Sequence, residues 1–445
     1  MRRLSRKSWY QGAFLAFCAA PMLLVVVWIA SRAIVGDANL SKEDWERELS
    51  SRLGVTFKID RVTYPQLGLA VLNQVELIDA ETGEPVARAA AIEVTKTADG
   101  YAIEAISPEI EAAQLGRFSQ VLHERLLCQG IGGISRCEFG ASELTLQDKS
   151  FSRTIVNLNG AMEPTDSGPS LSASFQWPDG VNADHVMEWK LSRNLDLSPP
   201  VTSISVNTGK ARLPCHLAAR IWPPLERLGE EAEFAGEVNW LLSAKGSAEL
   251  RGTFFGVNLD TLVSEQFPQV LSGKAVVRIE SMKIDDGRLL NAMGIVEVPN
   301  GGRVSRSLLM AAAEYLKLQN EAGNNGSEVL PYRRLAVGFR IDGSQLQLKG
   351  SADAVTPGVL IANPTAPVLK ALPNHSASAA NLARVLLPDS RVQVPLASQT
   401  SGLVQLLPVP DSQPASAGNV QTARGSHIPT RLSPGGSSKS VIRER

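Results

Sequence analysis

Residues 55–64 read VTFKIDRVTY. Apolar Val55, Phe57 and Ile59 alternate with polar Thr56, Lys58 and Asp60, the period of two that belongs to a strand with one face turned inward. Residues 69–79, LAVLNQVELID, continue in the same style, and DAETGEP at 79–85 supplies turn residues before VARAAAIEVTKT at 86–97. Asp99-Gly100 then closes a hairpin into YAIEAI. Short strands joined by tight turns predict an antiparallel meander rather than βαβ units.

Upstream, SKEDWERELSSRL at 41–53 changes the period to that of a helix. Trp45, Leu49 and Leu53 recur at spacing four, Ser41 is an N-cap with Asp44 completing a capping box, and Gly54 stands in the C′ position. Docking on the first strands is the expected fate of this narrow stripe. Further upstream, Gly12–Ala30 is uncharged and spans roughly 28 Å as a helix, close to the apolar thickness of a bilayer. Arg2, Arg3, Arg6 and Lys7 precede it, which predicts a cytoplasmic N-terminus and a chain lying outside the cytoplasm beyond it. The alternatives are a cleaved signal peptide or a buried helix. The length of the run and the poor cleavage context, ASRAIVGDA, favour an anchor.

Downstream, Pro108 is expected to open a helix, PEIEAAQLGRFSQVLHERLL, with Leu115, Phe118, Leu122 and Leu126 on one face. Strand patterns resume from CEFGASELTLQD, with Asn159-Gly160 and Asp179-Gly180 read as turns. LPCHLAARIWPPLERLG is a mixed stretch in which Pro223 and Pro224 break any long helix. More strands follow, with hairpin signals at Asp286-Gly287, Asn300-Gly301 and Asp342-Gly343, and SRSLLMAAAEYLKL at 305–318 reads as a helix. From about Pro373 onward no Phe, Trp or Tyr occurs and Ser, Pro, Ala and Gln dominate, which predicts a disordered tail. LARVLLP and GLVQLLPVP inside it read as stray apolar runs, with short docking motifs the alternative.

Composition bounds what the chain does. Its 445 residues carry 44 Lys+Arg against 45 Asp+Glu, a net charge of -1, so no basic face recommends nucleic acid. Aromatics are 5% of the residues and apolar residues 44%, so Val, Ile, Leu and Ala must build the core. The histidines at 123, 185, 216, 375 and 427 are scattered, with no H-E-x-x-H pattern, and neither a G-x-S-x-G elbow nor a phosphate-binding loop occurs. The Asp285-Asp286-Gly287 and Glu230, Glu231, Glu233 groups fit a turn and a solvated patch. No catalytic, cofactor-binding or metal-ligating set emerges, and none is expected. Of the four cysteines, Cys18 lies in the apolar run and Cys215 stands alone. Cys128 and Cys137 are spaced to permit a bridge or to stay unpaired.

The anchor, the short helix and RLGVTFKIDRVTYPQLGLAVLNQVELIDAETGEPVARAAAIEV resemble the start of AsmA-like envelope proteins. GKAVVRIESMKIDDGRLLNAM, a helix and PYRRLAVGFRIDGSQLQLKGS are similar to the C-terminal region of that family. The likeness covers residues 10–100 and about 235–360. This chain is shorter than the long members and ends in a polar tail. The resemblance implies a mainly β fold with a few helices: an N-terminal transmembrane helix, then an elongated, curved antiparallel sheet forming an apolar groove. It divides the chain into a basic cytoplasmic N-terminus (1–11), a membrane segment (12–35), an N-terminal β region (36–235), a C-terminal β region (236–372) and a disordered tail (373–445).

It further implies an inner-membrane protein with its bulk in the periplasm, handling phospholipid acyl chains. The alternating residues Val55, Phe57, Ile59, Val276, Ile279, Leu335, Val337 and Phe339 are then the candidates for lipid contact. Val276 and Ile279 differ by three, so both share a face only across a bulge. An ordinary sandwich core is the competing reading of the same residues. On the order of twenty strands would stack to roughly 95 Å at the usual strand spacing. The second expectation is an envelope scaffold that binds protein partners, and a third, an extracytoplasmic hydrolase, would need a polar cleft.

Overall fold

The first free edge of the sheet is sealed by a helix, and sequence explains both. In a computed structural model, which describes residues 40–53, 55–79, 83, 85–98, 100–111, 136–147, 152–177, 185–219, 223–242, 246–323 and 326–387, helix α1 (Lys42–Leu53) starts at the predicted capping box. The Asp44 amide donates to Ser41 Oγ at 3.2 Å, and the Ser41 hydroxyl donates back to Asp44 Oδ2 at 2.8 Å. That hydrogen bond, chiefly, holds the Asp44 carboxyl below its ordinary pKa. β1 (Val55–Gln66) pairs with β2 (Leu69–Asp79) on one side only. On its free side the Phe57 amide donates to Ser50 Oγ (2.9 Å) and the Ile59 amide to Glu46 Oε1 (2.8 Å). Two edge donors that would template another strand are thereby satisfied from α1. Trp45 is wholly buried, and its indole Nε1–H donates to Tyr64 Oη at 2.9 Å.

The meander continues through β3 (Pro85–Lys96) and β4 (Gly100–Ile106) as the turn signals predict. The next expectation fails. Pro108 opens a strand, β5 (Glu109–Glu111), and not a helix, because buried Ile110 pairs with Ala87 on β3. Residues 112–135, which include the rest of that predicted helix (112–127), lie outside the described residues. The chain returns as β6 (Arg136–Gln147), which runs parallel to both β4 and β5. The sheet is therefore not a pure antiparallel meander. One long crossover replaces a hairpin, as parallel pairing requires.

From β6 the sheet is antiparallel: β7 (Ser152–Thr165), β8 (Gly168–Gln176), β9 (Val186–Asn194) and β10 (Val201–Asn207) follow in order. Asn159-Gly160 is not a turn. It lies inside β7, where a Cβ on Gly160 would stand 2.0 Å from Phe139 Cζ, so the glycine admits an aromatic ring. The Asp179-Gly180 turn signal lies outside the described residues. β11 (Leu213–Pro214), helix α2 (Cys215–Ala219) and a 3-10 turn (Pro223–Leu228) form the mixed stretch. β12 (Glu233–Leu242), β13 (Ser247–Asn258), β14 (Lys274–Asp285) and β15 (Arg288–Val298) extend the sheet. The Asp286-Gly287 hairpin forms as expected, both residues having positive φ (49° and 69°).

An excursion then leaves the sheet. β16 (Gly302–Ser305) carries the N-cap of α3 (Arg306–Leu316), β17 (Gln319–Asn320) rejoins the sheet, and β18 (Val329–Tyr332) pairs with β16. β19 (Arg334–Asp342) pairs with β15, then come β20 (Gln345–Gly350), β21 (Val359–Ala362) and β22 (Pro367–Lys370).

The tail boundary at 373 is also corrected. β23 (Ala377–Ser378) pairs with β20, and LARVLLP supplies helix α4 (Asn381–Leu386), with Val385 buried. His375 ties this segment down. Its buried Nδ1 accepts the Leu348 N–H at 3.1 Å, so Nε2 carries the proton it shares with Leu316 O. Residues 388–445 lie outside the described residues, as does the predicted span 12–35. Among the described residues no helix is long and apolar enough to cross a membrane.

Of the 23 strands among the described residues, 21 form one sheet. Because β4/β5, β10/β11, β20/β21 and β22/β23 lie end to end against shared neighbours, the 21 occupy seventeen positions. Laid flat, those positions would span about 77 Å at ~4.8 Å per strand, less than the strand count alone suggests.

Candidate functional site

The inward faces of two stretches of this sheet differ. In β1–β10 the alternation is sharp: Leu72, Leu77, Val94 and Leu191 are wholly buried, with charged residues on the reverse face. Phe57 and Ile59 belong here, 2% and 1% exposed beneath α1, so they are core side chains closed off by the chain itself. Val55 begins β1 opposite Asp79.

In β12–β15 and β19 the inward side chains are equally apolar but less covered. The register sets them in rows across strands. Phe234, Phe254, Val277, Val296 and Val337 are successive cross-strand partners. So are Val238, Leu250, Met282, Ala292 and Ile341. A third row joins Trp240 to Ala248, Ile284 and Leu289. Phe254, Val277, Val296 and Val337 are half-buried, as are Val238, Leu250, Met282 and Trp240. No titratable side chain interrupts these rows. The charges sit on the reverse face, where Lys283 pairs with Glu249 at 3.0 Å and Arg334 with Glu297 at 3.6 Å.

Glycine–aromatic stacking shapes this stretch. Phe234 and Phe254 have ring centroids 4.8 Å apart. A Cβ on Gly252 would come within 2.8 Å of Phe234, and one on Gly294 within 3.0 Å of Phe339. Each ring occupies the space that a side chain would take on the neighbouring strand. Glycine inside a strand commonly marks such a close approach.

The other sequence candidates divide accordingly. Ile279 and Leu335 share the inward face and are buried (6% and 5%), and Val337 and Phe339 are half-buried on it. Val276 faces the other way, opposite Glu297, because the bulge in β14 falls after Ile279 and not before it. Trp240, Leu250, Phe254, Met282 and Val296 escaped the sequence reading. Their signal was present as the alternation in EFAGEVNWLL and SAELRGTFF, blurred by the glycines and by Phe254-Phe255. Phe255 lies on the reverse face beneath the Arg212 guanidinium, 4.0 Å from its centroid.

On the polar face of β3–β10, an open cleft of about 880 Å³ is floored by Gly140, Ala161, Ser172 and Ser174 and rimmed by Glu104, Glu138, Glu188 and Lys190. Among the described residues no group of His, Cys, Asp or Glu is arranged to hold a metal ion. Cys137 is a free thiol, wholly buried, whose Sγ–H donates to Tyr101 O at 3.2 Å, while Cys128 lies outside the described residues. Burial pushes the Cys137 thiol up, and pushes Cys215 up to about 12. Both stay protonated at neutral pH.

No family model, curated protein or solved structure matches the chain.

Proposed function

We propose that this chain is an AsmA-like, inner-membrane-anchored protein that handles phospholipid, with acyl chains lying along the inward face of β12–β15 and β19. One observation carries the reading: three rows of apolar side chains, most of them half-buried, cross β12–β15 without a charge, and two of the rows continue into β19. Such a face exchanges water for hydrocarbon at roughly 25 cal/mol per Å² covered. The apolar run Gly12–Ala30 supports it by giving the chain a route into a bilayer, with the N-terminus cytoplasmic and the bulk periplasmic. A curved open sheet, a membrane span and an unstructured end beyond the described residues belong to this proposal.

A second reading has its own support. The inward face of β1–β10 is already filled by its own side chains. That portion suits a scaffold which presents its polar face to protein partners.

A photoreactive residue placed at Leu250 or Phe254 tests the first reading, with Glu249 on the reverse face as control. In cells, the inward positions are expected to crosslink to phospholipid, detected by mass spectrometry, and position 249 is not. Crosslinks only to protein, or none, from positions 250 and 254 would overturn the lipid reading.

A further inference from the structure

The turn between β1 and β2 carries Leu67, whose side chain is entirely exposed (105% of its extended value). No other large apolar residue among the described ones is so uncovered. The turn is also held close to where the chain enters the sheet. Tyr64, three residues before Leu67, donates its hydroxyl to Leu40 O at 2.9 Å and accepts the Trp45 indole N–H at 2.9 Å. Leu40 itself packs against the buried core. The entry point and the turn are therefore joined by a fixed hydrogen-bonded relay and about 10 Å of strand.

The chain outside the described residues limits what can reach this turn. Only Ser31–Asn39, nine residues, separate Leu40 from the apolar run Gly12–Ala30, about 32 Å at full extension. If that run lies in a bilayer, Leu40 stays within that tether of the lipid surface, and the turn at Leu67 within the tether plus the Tyr64 relay and its short length of strand. Its neighbours suit an interface. Lys96 is exposed and its backbone amide donates to Gly68 O at 2.9 Å, fixing a lysine beside the turn. A lysine stem lying on apolar surface with its ammonium at the headgroups is the usual arrangement at a membrane boundary.

From this we infer that the β1–β2 turn rests on the bilayer that holds the anchor, with Leu67 inserted among the lipids and Lys96 at the headgroup level. The inference rests on the anchor reading above. The contact would fix the sheet's first strand at the membrane and not leave it swinging on a linker.

The test uses the full chain with Cys18→Ser and Cys128→Ser. Cys137 and Cys215 remain, being 0% and 1% exposed. A probe is attached at Leu67→Cys or, as control, at Val355→Cys, which is 88% exposed on the loop after β20. The protein is reconstituted in vesicles of phosphatidylethanolamine and phosphatidylglycerol. The expected result is quenching of the 67 probe by doxyl-labelled lipid and several-fold weaker quenching by aqueous iodide than at 355. A 67 probe as open to iodide as the 355 probe, on protein retained through an alkaline carbonate wash, overturns the inference and leaves the anchor standing. Protein released by that wash overturns both.

Discussion

Leu72 and Leu250 are both leucines on the inward face of antiparallel strands, yet Leu72 is wholly buried and Leu250 half-buried. The difference is not in hydrophobicity or in strand pattern. It lies in what stands opposite. Around Leu72 the inward side chains of β1–β10 and α1 fill one continuous cluster. Around Leu250 the neighbours on β12–β15 pack beside one another but leave part of each side chain uncovered. Strand periodicity tells which face is apolar, and only tertiary packing tells whether that face is closed.

The comparison predicts unequal penalties for one chemical change. Leu72→Ala is expected to lose about 2–5 kcal/mol, the range for a buried leucine that leaves a cavity. Leu250→Ala is expected to lose about 1 kcal/mol or less, since water already reaches it and no closed cavity forms. Denaturant unfolding of the two variants checks this. Equal losses would mean that the second face is as sealed as the first.

A smaller effect probes the packing device both regions share. Gly160→Ala in β7 would place a Cβ 2.0 Å from Phe139 Cζ and 2.6 Å from Ser172 O. A loss of about 1–3 kcal/mol is expected from this overpacking. Phe139→Leu combined with Gly160→Ala should recover part of it. If the double variant is no better than the single one, backbone crowding by Ser172 O and not the ring sets the need for glycine.

Much of this architecture was legible in residue order. The capping box at Ser41 and Asp44, the alternation of β1–β4, the Asp286-Gly287 hairpin and the helix after Ser305 follow from local rules. Where reading failed, non-local contacts decided. Asn159-Gly160 has turn chemistry, but a ring from β6 needs the space. Residues 109–111 begin like a helix, but Ile110 is claimed by β3. LARVLLP lies in a polar tail, but α4 caps α3, with Asn381 Nδ2 donating to Tyr315 O at 2.8 Å. In the candidate face, Ile279, Leu335, Val337 and Phe339 share the inward side as a period of two requires, while Val276 faces away, since the position of a bulge is not written in the alternation.

The excursion between β15 and β19 offers a finer test of how the second region is held. Tyr332 Oη donates to Ser272 O at 2.6 Å in a buried setting, and burial together with the nearby Asp260 carboxylate pushes its phenol up to about 12. Tyr332→Phe keeps the ring and strands that carbonyl, for an expected loss of about 1–1.5 kcal/mol by thermal or denaturant unfolding. No loss would mean that water replaces the hydroxyl, as a partly open region permits.

Cys215 stands at the seam between the two regions and reports on its closure with no effect at neutral pH. Its amide donates to Ala232 O at 2.7 Å, and it packs with Phe234 at the start of β12. Burial first, and the Glu233 carboxylate second, raise its thiol from about 9 to about 12. A thiol with a raised pKa in the folded state adds stability that is complete below the unfolded value and fades as pH climbs towards the folded one. Stability should therefore decline between about pH 9 and pH 12, and Cys215→Ala should lessen that slope by up to ~1.4 kcal/mol per pH unit. Comparing slopes removes the pH-independent penalty of the lost side chain. An unchanged slope, or rapid alkylation of Cys215 in the native protein at pH 7, would show the seam to be as uncovered as the face of β12–β15.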